Sequence, residues 1–387
     1  MPSALSAPAS ASHCLLTQAE IDAIDRPLEE AAQLPARCYT DPEFYRFEVE
    51  KVFMRNWLPV GRIDQVSNPG DFFTVTRFGE PVVVVRDKDM RLRALSNVCR
   101  HRNYPVAQGA GNCRVRGLIC PYHGWAYDLT GKLRSAPFMD KTGSFVTGEW
   151  ALPELGVDVW QGFIFINFDP KAPLLSPQLR TLDKVIEPLK LGEMKTAMLR
   201  SVRWPGNWKA TLENFTEAYH QPFVHPKTFE PWAPARLGVY DDVDGPYNLF
   251  WLPSKDGGDL PTILPAIAGL PDAFRKSFVI VNIFPYFHFL IDASSAISLD
   301  MEIGGAGELT CTWQVHVPPS SAAEPDFEAK CSKLLEILMP TYNEDEAACQ
   351  GIIPGQRSRF AQQGRYSWME KSVHQFHRWL AREYTRP

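Results

Sequence analysis

The sequence predicts an α+β protein in which a small antiparallel β domain precedes a larger domain of mixed helices and strands. Short β-rich runs, such as Phe72-Phe73-Thr74-Val75 and Val82-Val83-Val84-Val85, alternate with turn signals between residues 57 and 152. After residue 162 helical and strand patterns mix. Residues of the types that bind metals are concentrated in both parts. This distribution predicts two separate functional centres.

The segment before the β-rich part predicts an N-terminal arm with helices. Thr17 followed by Glu20 is typical of a capping box, and Asp41-Pro42-Glu43 is typical of a second helix start. The residues before Thr17 lack such signals and are interpreted as a flexible tail. The predicted domains are an arm at 1–54, a β domain at 55–155 and a mixed domain at 156–387. In the mixed domain we predict helices near 208–219, 327–338 and 368–384, and strands near 278–290 and 309–317.

Composition excludes several classes of protein. The net charge of −5, without a long basic run, argues against nucleic acid as a partner. The most apolar stretch, 278–291, is shorter than the ~20 residues of a membrane span, so we expect no membrane segment. Eight cysteines without a secretory signal favour reduced thiols, metal ligands and a cytoplasmic location.

Two cysteine–histidine pairs lie in the β domain. Cys99-Arg100-His101 is followed by Cys120-Pro121-Tyr122-His123-Gly124-Trp125. Four such ligands fit either a structural zinc site or an iron–sulfur cluster of mixed ligands. Zinc sites more often group cysteine with cysteine, whereas each loop here carries one residue of both types. Gly117, Gly124 and Gly131 are expected to form tight turns near this centre, and Cys113 is expected not to be a ligand.

A second constellation lies in the mixed domain, between Asn207 and Pro226. On a regular helix Glu213, Glu217 and His220 would share one face, whereas His225 would be turned away. Pro222 is expected to kink or end the helix and to allow His225 to approach His220. Two imidazoles could then meet at one metal, and the facial triad of a non-heme iron site would need a carboxylate from elsewhere in the chain.

The motifs C-x-H, C-P-Y-H-G-W and E-N-F-x-E-x-Y-H resemble those of the Rieske non-heme iron oxygenases, over nearly the whole chain. The resemblance implies an N-terminal Rieske domain and a C-terminal catalytic domain with a helix-grip-like antiparallel sheet. The implied ligands of a 2Fe-2S cluster are Cys99, His101, Cys120 and His123. The implied ligands of a mononuclear Fe(II) are His220, His225 and Asp345, with Glu344 and Glu346 as fallback candidates for the carboxylate.

Two further residues take catalytic roles from the same resemblance. Glu217 matches a carboxylate that links an iron-ligating histidine to a cluster-ligating histidine of a neighbouring subunit. With glutamate at this position, the sequence resembles the branch of the family that acts on quaternary amines, whereas many members have aspartate there. Asn214 is expected near the open iron positions, and Tyr219 is expected to support the site by packing.

The implied function is O2-dependent hydroxylation, dihydroxylation or oxidative demethylation of a small aromatic or methylated-amine substrate. Since no nicotinamide or flavin motif is found, electrons are expected from a separate NAD(P)H reductase, with or without a ferredoxin. A homotrimer is expected. An assembly with an additional β subunit is less expected. The alternatives are a non-catalytic Rieske electron carrier and a zinc-stapled binding protein, against which the second constellation argues.

Other histidines and aromatic residues are assigned to packing or left open. His374 and His377 lie on an amphipathic terminal helix, and His316 lies in an apolar β segment. His288 also lies in such a segment and is either a core histidine or a residue of the pocket. The aromatic residues for which core and pocket positions are equally expected are Phe215, Phe223, Phe284, Tyr286 and Phe289.

Overall fold

The computed structural model describes residues 14–387, the side chains of Met198 and Leu199 excepted, and divides them into two compact units. One unit comprises residues 54–177, and the other comprises the residues up to 53 together with 178–387. The arm thus groups with the second unit, and residues 156–177 group with the β-rich unit. The predicted division at 54 and 155 stays a prediction, and most of the predicted tail lies outside the described residues.

The β-rich unit contains two antiparallel sheets. Its seven-stranded sheet has the order β1-β10-β9-β4-β3-β2-β5, and its three-stranded sheet has the order β6-β7-β8. The strands are β1 (Leu58–Arg62), β2 (Asp71–Arg77), β3 (Glu80–Arg86), β4 (Leu92–Ser96), β5 (Ala110–Asn112), β6 (Leu118–Ile119), β7 (Ala126–Tyr127), β8 (Leu133–Ser135), β9 (Glu154–Trp160) and β10 (Phe163–Asn167). Between them lie 3₁₀ turns at Ile63–Val66 and Thr147–Glu149. One ligand-bearing loop follows β4, and the other joins β6 to β7.

The second unit is built on a seven-stranded antiparallel sheet with the order β11-β17-β16-β15-β14-β13-β12. Its strands are β11 (Lys195–Pro205), β12 (Val239–Tyr240), β13 (Tyr247–Pro253), β14 (Ser277–Ile283), β15 (Phe287–Ile291), β16 (Ala296–Gly305) and β17 (Glu308–Val317). Its α-helices are α1 (Gln18–Ile24), α2 (Arg37–Thr40), α3 (Pro42–Glu48), α4 (Arg180–Ile186), α5 (Trp208–Phe215), α6 (Gln221–Val224), α7 (Asp272–Arg275), α8 (Pro319–Ala322), α9 (Phe327–Gly351), α10 (Ile353–Gln356) and α11 (Lys371–Thr385). A π-helical turn spans Val49–Phe53, and 3₁₀ turns span Glu187–Leu189, Leu191–Glu193, Ala235–Leu237 and Trp368–Glu370; a further 3₁₀ turn, Ser176–Leu179, lies at the boundary of the two units.

These elements confirm the predicted α+β class and both helix starts in the arm. Thr17 caps α1 in a capping box with Glu20, and Asp41 caps α3. The predicted strand at 278–290 is two strands, because Pro285 cannot donate a hydrogen bond to a sheet ladder and lies in the turn between β14 and β15. Among residues 14–387 no helix is long and apolar enough to cross a membrane.

Helix α9 is much longer than the pattern predicts. The predicted end near residue 338 lies just before Pro340, which removes a backbone donor, but the helix continues through this proline to Gly351. Contacts with α5 and α6 hold α9 in place. Tyr342, Asp345 and Cys349 are buried there at helical spacing. Asp345 is therefore in a buried helix interior and not in a solvated helix start.

One row of side chains crosses the large sheet beneath the helices. Antiparallel pairing places Asn248 of β13 beside Asn282 of β14, and Asn282 beside His288 of β15. The row continues through Leu299 of β16 to Trp313 of β17. Residues paired in this way point to the same face of a sheet. The row therefore presents three polar and two apolar side chains to one face.

A buried ion pair joins the arm to α5. The carboxylate oxygens of Glu48 lie 2.8 and 2.9 Å from Nζ of Lys209, and both side chains are fully buried. The indole of Trp208 and the hydroxyl of Tyr384 also donate to Glu48. Two buried charges stabilise a fold only when each keeps its partner. This pair therefore fixes the first turn of α5 to the arm.

Lys209→Met is expected to destabilise the protein by about 3–5 kcal/mol, because it leaves the Glu48 carboxylate buried without its counterion. Urea unfolding followed by circular dichroism measures the change. Lys333→Met is the matched control, since Lys333 pairs with Glu336 on an exposed surface and its loss should change stability little. Equal effects of the two substitutions would contradict this role of the buried pair.

Candidate metal centres

The two ligand-bearing loops of the β-rich unit have the same backbone arrangement. The amide of Cys99 donates to the carbonyl of Tyr104, and the amide of Cys120 donates to the carbonyl of Trp125. In addition, the carbonyl of each cysteine accepts from the residue four positions later, Asn103 or Gly124. Both of these residues have a left-handed backbone, with φ of 59° and 72°. Two matching turns thus present the two cysteine–histidine pairs.

Thiols and imidazoles are segregated in this centre. Cys99 and Cys120 are each 1% exposed, whereas His101 and His123 lie at the surface of the unit. The two imidazole rings are 4.5 Å apart between centroids, and the ring of His101 stacks on the indole of Trp125 at 5.0 Å. Two buried sulfur ligands and two exposed nitrogen ligands fit a cluster in which cysteines hold one iron and histidines hold the other.

Tyr127 on β7 contacts this centre through its hydroxyl. The hydroxyl oxygen accepts from the amide of Arg100 at 3.0 Å and lies 3.4 Å from Sγ of Cys99. When Cys99 ligates a metal as a thiolate its sulfur carries no proton, so the hydroxyl of Tyr127 is the donor in this contact. Sequence analysis did not identify Tyr127. Gly117 has a φ of 73°, and a side chain there would collide with the carbonyl of Tyr127, so this glycine preserves the position of β7.

Other residues near this centre take the positions expected of non-ligands and turns. The thiol of Cys113 donates to the carbonyl of Gly70 at 3.4 Å. Gly131 has a φ of 82°, as the predicted tight turn requires. In residues 14–387 all eight cysteines are free of disulfide bonds, and Cys99 and Cys120 are thus available as metal ligands.

The second unit brings together His220, His225 and Asp345. One ligand atom of each residue lies within 4.8 Å of the others, and His225 and Asp345 are buried. Nε2 of His225 is 2.9 Å and Nε2 of His220 is 3.5 Å from Oδ1 of Asp345. Two imidazoles and one carboxylate on one side of a site fit the facial triad of a ferrous iron.

The local chain path differs from the expected kinked helix. Helix α5 ends at Phe215, before Glu217 and His220, and Pro222 lies in the first turn of the separate helix α6. His220 and His225 flank this single turn, and His225 lies at its C-terminal end. The side-chain amide of Gln221 holds the turn in place through the carboxylate of Glu230 and the carbonyl of Ala233. Proline thus starts the helix here, as its fixed φ favours.

Each histidine of the triad is oriented by a second carboxylate. Nδ1 of His220 donates to Oε1 of Glu217 at 2.5 Å, and Nδ1 of His225 donates to Oε2 of Glu344 at 2.8 Å. The hydroxyl of Thr228 donates to the same oxygen of Glu344 at 2.6 Å. Occupied Nδ1 atoms leave Nε2 of both rings for a metal ion. Glu344, considered above as an alternative ligand, instead holds His225, and Glu346 is bound to Gln350.

The charges of this site depend on one another. Burial opposes a charged ring, but the carboxylates of Glu217 and Asp345 outweigh it and raise the pKa of His220 to about 10. Burial likewise opposes a charged Asp345, but hydrogen bonds from His220 and His225 outweigh it and lower the pKa of this carboxyl group. A cation bound at Nε2 of both rings would replace the protons that the carboxylates now attract.

The predicted catalytic residues, Asn214 and Glu217, make different contacts at this site. Asn214 donates from Nδ2 to Oδ1 of Asp345 at 2.8 Å, so it contacts the carboxylate ligand directly. Glu217 also accepts hydrogen bonds from the amides of Tyr219 and His220. Tyr219 is 51% exposed and does not pack in the site as expected.

The aromatic candidates divide between the site and the core. Phe215 packs against His288 and Trp313, at centroid distances of 5.3 and 5.1 Å. Phe223 is 81% exposed. Phe284, Tyr286 and Phe289 are buried among other aromatic rings of the core.

The remaining histidines have the hydrogen bonds of structural residues. His316 is bonded to Thr196 and Ser298, and His374 to the carbonyl of Ile24. His377 is bonded to Glu213 and Tyr366. Their assignment to packing therefore agrees with these contacts.

Comparison with known proteins gives two family matches. The Rieske [2Fe-2S] domain matches residues 56–150, and the ring hydroxylating alpha subunit (catalytic domain) matches residues 191–386. The carnitine monooxygenase oxygenase subunit of Escherichia coli K12 is 36% identical over 200 residues, which cover 51% of this chain and 53% of that protein. The benzene 1,2-dioxygenase subunit alpha of Pseudomonas putida is 34% identical over 199 residues, which cover 50% and 44% of the two chains.

The matched regions span about half the length of these curated relatives. Among solved structures, the quaternary ammonium Rieske monooxygenase CntA has a similar fold, with a TM-score of 0.80 and 22% identity. That match covers 94% of this chain and 98% of the other. A Rieske domain and a ring-hydroxylating catalytic domain are thus both present, and the chain belongs to the family of ring-hydroxylating oxygenase alpha subunits.

Proposed function

We propose that this chain is the oxygenase component of a Rieske non-heme iron oxygenase that acts on a small aromatic or methylated-amine substrate. The observation that carries the proposal is the convergence of His220, His225 and Asp345, with one ligand atom of each within 4.8 Å of the others. A cluster-only electron carrier would not need this second centre. Ferrous iron held at this site would supply the activation of dioxygen, and a 2Fe-2S cluster would supply an electron.

The proposed ligands follow from the donor geometry. Nε2 of His220, Nε2 of His225 and the carboxylate of Asp345 would hold the mononuclear iron. Sγ of Cys99 and Cys120 and the rings of His101 and His123 would hold the cluster. Asn214 would orient the Asp345 carboxylate through the hydrogen bond from its side-chain amide.

Glu217 has two proposed tasks. Its bond to Nδ1 of His220 would keep that ring in the tautomer that leaves Nε2 free for iron. From the family resemblance, it would also link His220 to a cluster-ligating histidine of a neighbouring subunit. A homotrimer, a separate NAD(P)H reductase and a cytoplasmic location belong to the same proposal.

The substrate class is proposed from the relatives. L-Carnitine and γ-butyrobetaine are substrates of CntA, and other relatives are named for glycine betaine and benzene. The glutamate at position 217 favours the methylated amines among these. A substrate panel therefore begins with quaternary amines and then includes benzene and indole.

The proposal predicts about three irons per chain in anaerobically purified protein, two in the cluster and one at the triad. With a reductase, NADH and a panel substrate, oxygen from 18O2 should enter the product. Asp345→Ala should retain the cluster spectrum and its two irons but lose the third iron and the oxygenation. A zinc protein without colour would overturn the proposal, as would cluster-only iron in the unaltered chain.

Glu344→Ala is expected to weaken iron binding at the triad about 10- to 100-fold, because His225 loses the carboxylate that orients and polarises its ring. Glu344→Gln should lose less, since its amide oxygen still accepts from Nδ1 of His225. Iron retention against a competing chelator measures both. Glu346→Ala on the same helix is the control, and a comparable loss in that variant would argue against a specific role of Glu344.

Tyr127→Phe is expected to lower the reduction potential of the cluster. The hydroxyl proton directed to Sγ of Cys99 stabilises the more negative, reduced state, so its removal makes reduction less favourable. Spectroelectrochemical titration of the cluster measures the potential. Tyr104→Phe is the control, because that exposed ring packs on Tyr122. An unchanged potential in Tyr127→Phe would show that the hydroxyl does not act on the cluster.

A further inference from the structure

His288 lies at the end of a chain of buried hydrogen bonds. The donor and the acceptor of each bond in this chain can be assigned in only one way. The chain begins at the backbone carbonyl of Ser372, which lies 2.8 Å from Nδ2 of Asn248. Oδ1 of Asn248 is 2.7 Å from Nδ2 of Asn282, and Oδ1 of Asn282 is 2.8 Å from Nδ1 of His288. All three side chains are buried.

The direction follows from the first acceptor. A carbonyl group only accepts, so Asn248 must present its amide nitrogen to Ser372 and its oxygen to Asn282. Asn282 must then present its nitrogen to Asn248 and its oxygen to His288. The proton of the imidazole is thereby placed on Nδ1. Nε2 of His288 is left with a lone pair and is a hydrogen-bond acceptor.

The ring is uncharged in this environment. Burial lowers the pKa of His288 to about 3, in spite of the opposing charge of Asp345. A neutral ring with its proton on Nδ1 cannot donate from Nε2. Among the described residues none forms a hydrogen bond with Nε2, although only 3% of His288 is exposed. Nε2 is not among the fully enclosed unpaired atoms of the described residues, so a hydrogen-bond donor that enters the site can reach its lone pair.

His288 lies on the face of the sheet that carries the triad. Its ring packs on Phe215, which follows Asn214, the donor to Asp345. Trp313, in the same row of the sheet, packs on Phe215 and stacks on Tyr342 of α9 at 4.2 Å. The charge of Asp345 also acts on the ring. The acceptor is therefore close to the proposed iron site.

A buried polar atom of α9, next to this face of the sheet, lacks a partner. Within the part of the chain that the structure describes, the hydroxyl of Tyr342 has no hydrogen bond. Tyr342 precedes Asp345 by one helical turn, and its ring and that of Trp313 are nearly parallel, at 15°. Unpaired polar groups in a buried region commonly mark a place for a ligand or a water molecule. This hydroxyl, the acceptor Nε2 of His288 and the flat rings of Phe215 and Trp313 are groups of the kinds that bind a small organic substrate.

We infer that His288 is a specificity residue whose Nε2 accepts a hydrogen bond from a hydroxyl or N–H group of the substrate. This inference rests on the proposed oxygenase function and adds a chemical requirement to it. Substrates that carry such a donor bind in a fixed orientation beside the triad. Close analogues without the donor leave Nε2 unpaired and bind more weakly.

Two matched pairs of probes test the inference by binding alone. L-Carnitine differs from γ-butyrobetaine by one hydroxyl group, and indole differs from 1-methylindole by its N–H group. Isothermal titration calorimetry on the iron-loaded protein measures the dissociation constant of each probe. In at least one pair the donor-bearing probe should bind roughly tenfold more tightly, the effect of one buried hydrogen bond.

Two variants change the acceptor in different ways. His288→Phe removes Nε2 but keeps a ring of similar size, and the ratio of the two dissociation constants should fall to about one. Asn282→Asp keeps the ring but places a negative charge beside Nδ1, which favours protonation of Nε2 and makes it a donor. The preference for the donor-bearing probe should then be lost or reversed. Thermal unfolding shows whether each variant is folded, and a misfolded His288→Phe leaves Asn282→Asp to decide.

His316→Phe is the matched control, because His316 is another buried sheet histidine with both ring nitrogens bonded to neighbouring side chains. It should keep the preference of the unaltered chain. The inference is overturned if the unaltered protein shows no preference in either pair, including the case in which no probe binds. It is also overturned if the preference survives in both His288→Phe and Asn282→Asp. The oxygenase proposal is judged separately, by iron content and by 18O incorporation with γ-butyrobetaine or 1-methylindole.

Discussion

Oδ1 of Asp345 receives three donors from two helical segments of the catalytic unit. Nδ2 of Asn214 lies at 2.8 Å, Nε2 of His225 at 2.9 Å and Nε2 of His220 at 3.5 Å. A carboxylate this deeply buried is unfavourable unless it is hydrogen-bonded or paired with positive charge. The hydrogen bonds to Asp345 therefore connect α9 to α5 and α6. The two histidines among these partners are also ligands that a metal ion would need. The same hydrogen bonds thus contribute both to the stability of the fold and to the geometry of the ligands.

The two centres use different means to orient their ligands. At the triad, outer carboxylates do so, since Glu217 and Glu344 each hold Nδ1 of one histidine and leave Nε2 towards Asp345. At the cluster motif the backbone does so, through two matching turns with left-handed residues at Asn103 and Gly124. Carboxylates add negative charge that suits a divalent cation. Backbone turns bring pairs of ligands together without adding charge.

Helix α5 is supported at both ends, which is how it positions the site. Its first turn is fixed by the buried pair of Lys209 with Glu48, and its last turn carries Asn214 to Asp345. Phe215 then covers the polar row of the sheet at His288. Residues held by such outer contacts keep a ligand set within narrow limits of geometry. The arm, the helices and the sheet therefore all make contacts that position the residues of this site.

The amino-acid sequence by itself determined the features that depend on short spacing. The capping box of Thr17, the helix start at Asp41, the two cysteine–histidine loops and the pair His220 and His225 are local, because a few residues fix which side chains can meet. Asp345 was found through a family resemblance and not through spacing. Its position inside α9 was missed, because Pro340 is a local signal that tertiary contacts overrule.

Only the tertiary structure decided which distant groups become partners. It made Glu344 the partner of His225, directed Tyr127 to Cys99 and connected Ser372 to His288 through two asparagines. None of these contacts has a sequence period, since each joins elements that lie far apart in the chain. The protonated nitrogen of His288 depends in turn on a hydrogen-bond chain across four elements. Pairings of this kind arise from the packing of the whole domain, and local propensity carries no information about them.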